Sequence, residues 1–192
     1  MTAIDTPSNT TESGRRLFLA CWPEQSLQET LYSLARRLQR KYGGRKIARQ
    51  NIHLTLLFLG QVYQHKEQQL RDRLRLLDAR EFELELDKVG SFDGRWKINW
   101  VGPSMQPEAM KSLYSALRLI SSELGFDAAD KPFRPHVTLL RKSHVAALEE
   151  IKPLSWKVDS YYLIESVQTG AGVEYRIVEE FELADEKKES QF

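Results

Sequence analysis

The chain has 192 residues, 41% of them hydrophobic and 29% charged, and a formal net charge of +1. These values are typical of one folded globular domain, and they exclude an intrinsically disordered chain and a pair of large independent domains. The single cysteine, Cys21, excludes an internal disulfide and a cysteine-based zinc cluster, so we expect a reducing compartment and a cytoplasmic location.

Both ends of the chain predict flexible tails. Residues 1–14 have neither the basic start nor the apolar run of a signal peptide, and residues 185–192 are strongly charged. Because no segment has the length of an apolar membrane span, we expect no membrane partner. The remaining residues, 15–184, are predicted to form a single bilobal domain.

The first half of the chain predicts the order strand, helix, strand. Residues 17–20 indicate a short buried strand and residues 51–59 a second one. Between them, leucines recur at helical spacing up to the glycine pair Gly43-Gly44, which ends the helix. These leucines are Leu27, Leu31, Leu34 and Leu38. A second amphipathic helix is marked by Leu70, Leu74 and Leu77.

The second half of the chain repeats this order. Residues 82–86 and 96–100 alternate apolar and polar side chains, which predicts two strands. The glycines within residues 90–94 predict a turn that joins these strands into an antiparallel hairpin. A helix that ends at Gly125 follows, and an apolar strand begins at His136. The helix is marked by Met110, Leu113, Leu117, Ile120 and Leu124.

Two further strands are predicted near the C-terminus, over residues 157–165 and 173–183. Together with the repeated strand, helix, strand order, they predict an α+β fold. We expect two pseudo-symmetric lobes of mostly antiparallel sheet, with the helices on the outside.

A tetrapeptide of the pattern His-apolar-Thr-Leu, or HxTx, occurs twice, as His53-Leu54-Thr55-Leu56 and as His136-Val137-Thr138-Leu139. Side chains alternate between the two faces of a strand, so each copy places one imidazole and one hydroxyl on the same face. A single His-x-Thr is most often a partly buried polar pair, but two copies are improbable by chance. Paired across a groove, they would form a phosphate site with one acid and one base.

Other catalytic chemistries lack their residues. The chain has no His-Glu-x-x-His helix, no phosphate-binding glycine loop followed by Lys-Ser/Thr and no Gly-x-Ser-x-Gly elbow. Two histidines without carboxylates at ligand spacing make a poor zinc site, so we expect neither a metal nor another cofactor. The other two histidines, His65 and His144, lie in polar contexts and are predicted to be surface residues.

The residues around both motifs resemble the two-histidine (2H) phosphoesterase superfamily, and in particular the LigT-like RNA 2′,3′-cyclic phosphodiesterases, also called ThpR. The resemblance is carried by residues 16–20, 51–60, 133–141 and 163–166 and covers nearly the whole folded chain. It implies the LigT-like 2H fold, in which the active-site groove lies between the two lobes.

The resemblance also implies an activity and a role for each motif residue. The expected reaction is hydrolysis of RNA 2′,3′-cyclic phosphate termini to 2′-phosphates, with His53 as the acid toward the leaving 3′ oxygen and His136 as the base on water. Thr55 and Thr138 would bind the phosphate oxygens, and Arg141, three residues after the second threonine, would add positive charge. Reverse ligation to a 2′,5′ linkage is a further implied activity.

The expected partners are RNA with a 2′,3′-cyclic phosphate end, including transfer-RNA fragments, or cyclic nucleotides, and the protein is expected to be a monomer. Residues 36–49 carry seven Lys and Arg side chains and no Asp or Glu, which beside a phosphate site predicts salt-sensitive RNA binding. Two alternatives remain open. One is a phosphodiesterase acting on another small cyclic phosphate or a 2′,5′-oligonucleotide, and the other is a nucleotide-binding module without turnover.

Overall fold

The computed structural model describes residues 14–95, 97–126, 132–145, 148–170 and 172–185. The helices are α1 (Gln25–Tyr42), α2 (Gln64–Arg75) and α3 (Glu108–Glu123), with a short 3₁₀ turn at Arg49–Asn51. The strands are β1 (Arg15–Cys21), β2 (Arg45–Lys46), β3 (Leu54–Val62), β4 (Phe82–Phe92), β5 (Ile98–Gly102), β6 (Val137–Arg141), β7 (Glu149–Val158), β8 (Ser160–Thr169) and β9 (Gly172–Glu182). The predicted tails, apart from Gly14 and Asp185, lie outside the described residues, as do Trp96 and Ala171, which belong to predicted strand and turn segments.

All named strands belong to one sheet, whose main path runs β7-β4-β5-β6-β3-β1-β8-β9 with antiparallel neighbours. The two halves of the sheet meet through a single residue pair, Leu54 of β3 and Val137 of β6. Each half contains one strand, helix, strand unit, β1-α1-β3 and β5-α3-β6. The predicted α+β class and its two pseudo-symmetric lobes are confirmed, and the lobes are two halves of one continuous sheet.

The helices pack on one face of this sheet. Buried side chains of all three helices join one cluster with the leucines of β3 and β6, and α1 packs against β6 while α3 packs against β3. The opposite face carries a smaller buried cluster of Phe18, Ala20 and Ile164, with Trp22 and Tyr175 packed against it. We call this second face the groove face. In the described parts of the chain, no helix is long and apolar enough to cross a membrane.

Glycines end the helices where the sequence predicts. Gly43 follows the last residue of α1 with a φ of +66°, and its N–H donates to the carbonyl of Gln39. Gly125 lies two residues beyond α3 with a φ of +76°. The prediction for α2 was too long, because the helix ends at Arg75 and Leu77 packs against the core from the following turn.

Several strand boundaries differ from the prediction. The 3₁₀ turn occupies the start of the segment predicted as residues 51–59, so β3 begins only at Leu54. β6 begins at Val137, so each motif histidine immediately precedes its strand. β4 extends to Phe92, so the turn predicted over residues 90–94 begins only after Phe92. Gly90 is therefore a strand residue, and a Cβ there would lie 2.5 Å from the ring of Trp100.

The single strand predicted over residues 157–165 is wrong. The strand is interrupted at Asp159, so that Val158 ends β7 and Ser160 begins β8. β7 itself was not predicted, because Glu149, Glu150 and Pro153 give it the charged composition and the proline of a strand at a sheet edge. It occupies that position, with β4 as its neighbour.

Candidate active site

The two HxTx motifs come together where the halves of the sheet meet. Leu54 and Val137 form the pair that joins β3 to β6, and both side chains are fully buried on the helix side. The flanking residues His53, Thr55, His136 and Thr138 are therefore directed to the groove face, where all four are half-buried. Antiparallel strand geometry puts the Cα atoms of the two histidines about 8 Å apart, which leaves room for a phosphate between the rings.

Each motif continues into a β-bulge. Thr55 pairs with Ala20 and Leu57 with Leu19, so Leu56 is the extra residue of the first copy. Leu139 holds the same place in the second copy, between Thr138 opposite Trp100 and Leu140 opposite Asn99. Both leucines after each threonine consequently point into the core on the helix side.

The bulge brings the fifth residue after each histidine back to the groove face. Strict alternation from His136 would turn Arg141 toward the helices, whereas the bulge turns it toward the histidines. The effect of its positive charge on the pKa of His53 is consistent with this position. The equivalent residue in the first copy is Phe58, which is 66% exposed and lies 6.0 Å from Phe18, measured between ring centroids.

The two imidazoles are held in the same way. Nδ1 of His53 lies 2.8 Å from the carbonyl oxygen of Asn51, and Nδ1 of His136 lies 2.7 Å from that of Arg134. A carbonyl oxygen can only accept a hydrogen bond, so Nδ1 of each ring carries the proton and donates it. Nε2 of each ring is left as the nitrogen that can take up or release a proton. For His53, this atom lies 3.1 Å from the hydroxyl of Thr55.

Burial makes both histidines poor proton acceptors in the unliganded protein. Desolvation is the largest cause that lowers the pKa of His53, and the positive charges of Arg141 and His136 act in the same direction, so that the pKa is about 4 despite the opposing effect of the Asn51 carbonyl. Desolvation also lowers the pKa of His136, against the opposing effect of the Arg134 carbonyl. Since an anion between the rings would favour their protonated forms, the site is suited to a phosphate.

Aromatic rings contact both histidines, three of them at His53 and one at His136. Trp22 stacks on His53 at 5.0 Å with an interplanar angle of 12°, and Phe18 and Tyr175 each lie 5.2 Å from it. On the other side, Phe92 meets His136 edge-on at 5.0 Å. Trp22, Tyr175 and Phe92 were missed from the sequence, because each belongs to a different strand or loop and no spacing links it to the motifs.

Phe133 and the other two histidines lie away from the site. Phe133 stacks on Tyr114 of α3 at 4.0 Å and packs against the core on the helix side. His65 and His144 are exposed, as predicted. A cleft of about 530 Å³ is lined by Trp22, Tyr175 and neighbouring residues of β8 and β9, and these two rings contact His53. Within the described ranges, no group of three His, Cys, Asp or Glu side chains could hold a metal ion.

Comparison with known proteins identifies the family of this chain. Residues 23–170 match the model of the 2′-5′ RNA ligase superfamily. The RNA 2′,3′-cyclic phosphodiesterase of Escherichia coli is 34% identical over 59% of this chain, although the match spans only 64% of that relative. The RNA 2′,3′-cyclic phosphodiesterase of Archaeoglobus fulgidus is 27% identical over 87% of this chain and 99% of its own length.

Solved structures agree with the sequence relatives. The crystal structure of Escherichia coli LigT in apo form superposes with a TM-score of 0.78 at 28% identity, over 90% of this chain and 99% of that one. The same values hold for LigT complexed with 3′-AMP. Because the family model matches most of the chain and the fold agrees, this protein belongs to the 2′-5′ RNA ligase superfamily.

Proposed function

We propose that this protein is an RNA 2′,3′-cyclic phosphodiesterase that opens cyclic phosphate ends to 2′-phosphates. Its relatives from Escherichia coli and Archaeoglobus fulgidus carry that name, and the second matches this chain over nearly its whole length. The observation that carries the proposal is the pair of imidazoles on one face, each with Nδ1 bound to a backbone carbonyl and Nε2 left for proton transfer.

In the proposed reaction, water attacks phosphorus and the bond from phosphorus to the 3′ oxygen breaks. His136 takes the proton of the attacking water on Nε2, and His53 gives its Nε2 proton to the leaving 3′ oxygen. Each ring ends in the other protonation state, and exchange with solvent restores the pair. Thr55, Thr138 and Arg141 hold the phosphate oxygens, and Arg141 offsets the negative charge of the transition state.

Two finer features belong to the same proposal. The reaction requires no metal ion, because imidazoles carry the protons while hydroxyls and a guanidinium stabilise the phosphate. Since the steps are reversible, a 5′-hydroxyl end bound in place of water would give a 2′,5′ linkage. We expect the substrates to be RNA ends, including those of transfer-RNA fragments. We also expect the protein to act as a monomer in the cytoplasm.

The test is product analysis with purified protein. A cyclic mononucleotide and an oligoribonucleotide with a 2′,3′-cyclic phosphate end are incubated with the protein in EDTA, and the products are separated against 2′- and 3′-phosphate standards. We expect only the 2′-phosphate. Binding without turnover would support the nucleotide-binding module instead, and turnover restricted to 2′,5′-linked oligonucleotides would support the other enzyme.

A further inference from the structure

The basic stretch at residues 36–49 does not act as one surface. The arginines of α1 project from the exposed side of a helix whose buried side packs on the sheet, so they lie on the opposite side of the molecule from the groove face. Lys46 contacts Gln39 and the ring of Tyr32 on α1, and Arg49 pairs with Glu29. These contacts direct Lys46 and Arg49 toward α1 and away from the groove.

Arg45 is the exception. It forms the short strand β2 with Lys46, and β2 pairs with β6 so that Arg45 stands opposite Arg141 and Lys46 opposite Leu140. Lys46 and Leu140 both point to the helix side. Because neighbouring strand residues face opposite ways, Arg45 and Arg141 share the groove face.

Two guanidinium groups in direct cross-strand register repel each other, and like charges in such a pair destabilise a sheet. Several other described arginines have a carboxylate partner, including Arg15, Arg49, Arg71, Arg73, Arg75 and Arg176. In the part of the chain that the structure describes, no carboxylate lies within ion-pair distance of Arg45. Arg45 is therefore an exposed cation on the groove face, and an external anion would offset its charge.

The glycine before Arg45 fits β2 against β6. Gly44 has a φ of +83°, and a Cβ there would lie 2.8 Å from the carbonyl oxygen of Arg141 and from Cα of Ser143. Only glycine combines that backbone conformation with so close an approach. The loop after α1 is therefore shaped to bring Arg45 beside the end of β6.

The two arginines stand on different strands, and this separates their tasks. Arg141 influences His53 electrostatically, whereas Arg45 is not among the groups that do so. Arg141 lies on β6 itself, three residues after Thr138, and Arg45 lies opposite it on the neighbouring strand β2. An anion bound by Arg45 would thus lie about 5 Å, one strand spacing, to the side of an anion bound by Arg141.

We propose that Arg45 binds the phosphodiester adjacent to the terminal cyclic phosphate, so that it selects polynucleotide ends over mononucleotides. The proposal rests on the function proposed above. An arginine suits this position because its planar guanidinium can donate two parallel hydrogen bonds to phosphate oxygens.

The test compares two substrates with Arg45→Ala, Arg45→Lys and the control Arg36→Ala, which removes the same charge from the exposed side of α1. One substrate is a cyclic mononucleotide, and the other is a dinucleotide with one phosphodiester and a cyclic phosphate end. We expect Arg45→Ala to lower kcat/KM for the dinucleotide about tenfold or more, the scale of losing a charge-assisted hydrogen bond. The value for the mononucleotide should stay within about twofold. Arg45→Lys should fall between wild type and Arg45→Ala, and Arg36→Ala should match wild type.

The salt dependence of dinucleotide affinity gives a second readout. Arg45→Ala should reduce the slope of log affinity against log salt by about 0.7, the value for one phosphate contact on a single strand. Equal losses on both substrates would put Arg45 on the reacting phosphate and overturn the proposal, as would no loss on either. If the wild-type protein opens neither substrate, the proposed function is contradicted, whatever the role of Arg45. Fluorescence anisotropy with an oligonucleotide carrying a terminal 2′-phosphate then decides the role of Arg45, because equal affinity of Arg45→Ala and Arg36→Ala would overturn it.

Discussion

The lowered pKa values of the two histidines predict that kcat/KM is greatest at acid pH. The productive state has one imidazole protonated and the other neutral, and kcat/KM follows the protonation of the free protein. Burial lowers the pKa of His53 to about 4 and lowers that of His136 below its ordinary value. Both rings are therefore neutral at neutral pH before substrate binds, and acidification produces the mixed state.

The magnitude follows from the pKa of His53. At pH 7, three units above that value, about one His53 side chain in a thousand carries a proton. Above both pKa values the mixed state declines about tenfold for each pH unit, so kcat/KM should fall about tenfold between pH 7 and pH 8. The maximum should lie between about pH 4 and pH 6.5. The optimum of kcat should lie higher, because a bound phosphate raises the pKa values of both imidazoles.

The assay measures initial rates on a cyclic mononucleotide well below KM, at constant ionic strength and from pH 4 to pH 8.5. Trp22→Ala removes the ring stacked on His53 and admits water, which should raise the pKa of His53 and shift the optimum toward neutrality. Tyr63→Ala removes an exposed ring just beyond the far end of β3 and should leave the profile unchanged. A flat kcat/KM between pH 6.5 and pH 8.5 would refute the reasoning.

Three further outcomes follow. Arg141→Ala should lower kcat/KM more than Arg141→Lys, because a guanidinium grips two phosphate oxygens where an ammonium presents a point charge, and steady-state rates equal to wild type in both variants would remove Arg141 from the site. Turnover should be unchanged after dialysis against EDTA, whereas a loss that a divalent ion restores would show a metal requirement. The free energy of unfolding should decrease by about 3 kcal/mol as pH falls from 6.5 toward 4, because His53 takes up a proton more readily in the unfolded chain than in the folded protein. Denaturant titrations should show this decrease in the wild type and not in His53→Gln.

Local signals were enough to predict the helices and the face of each motif. The leucine spacing of α1 and its end at Gly43 are determined within one stretch of chain, and both were predicted correctly. The same holds for the alternation that puts Leu54 in the core and Thr55 on the groove face. These features need no knowledge of the partner strands.

Features that depend on the partner strands could not be predicted. The bulges at Leu56 and Leu139 exist only in the registers of β3 with β1 and of β6 with β5, so strict alternation fails for Arg141. The family resemblance identified Arg141 as a site residue, whereas strict alternation along the strand would have excluded it from the groove face. The pairing of Arg45 with Arg141 depends likewise on the short strand β2, which follows two glycines and carries no strand pattern of its own.

The most direct test of the account is the turnover of the two histidine variants and of the variant that combines them. His53→Ala and His136→Ala should each reduce turnover of a cyclic-phosphate RNA end about a hundredfold or more, while affinity for the 2′-phosphate product changes less. The double variant should lose far less than the product of the single losses, because the two rings act as a unit. His65→Ala and His144→Ala, at exposed positions, should retain wild-type rates. If either motif histidine can be removed from a folded protein with little loss of turnover, the paired acid and base mechanism is contradicted.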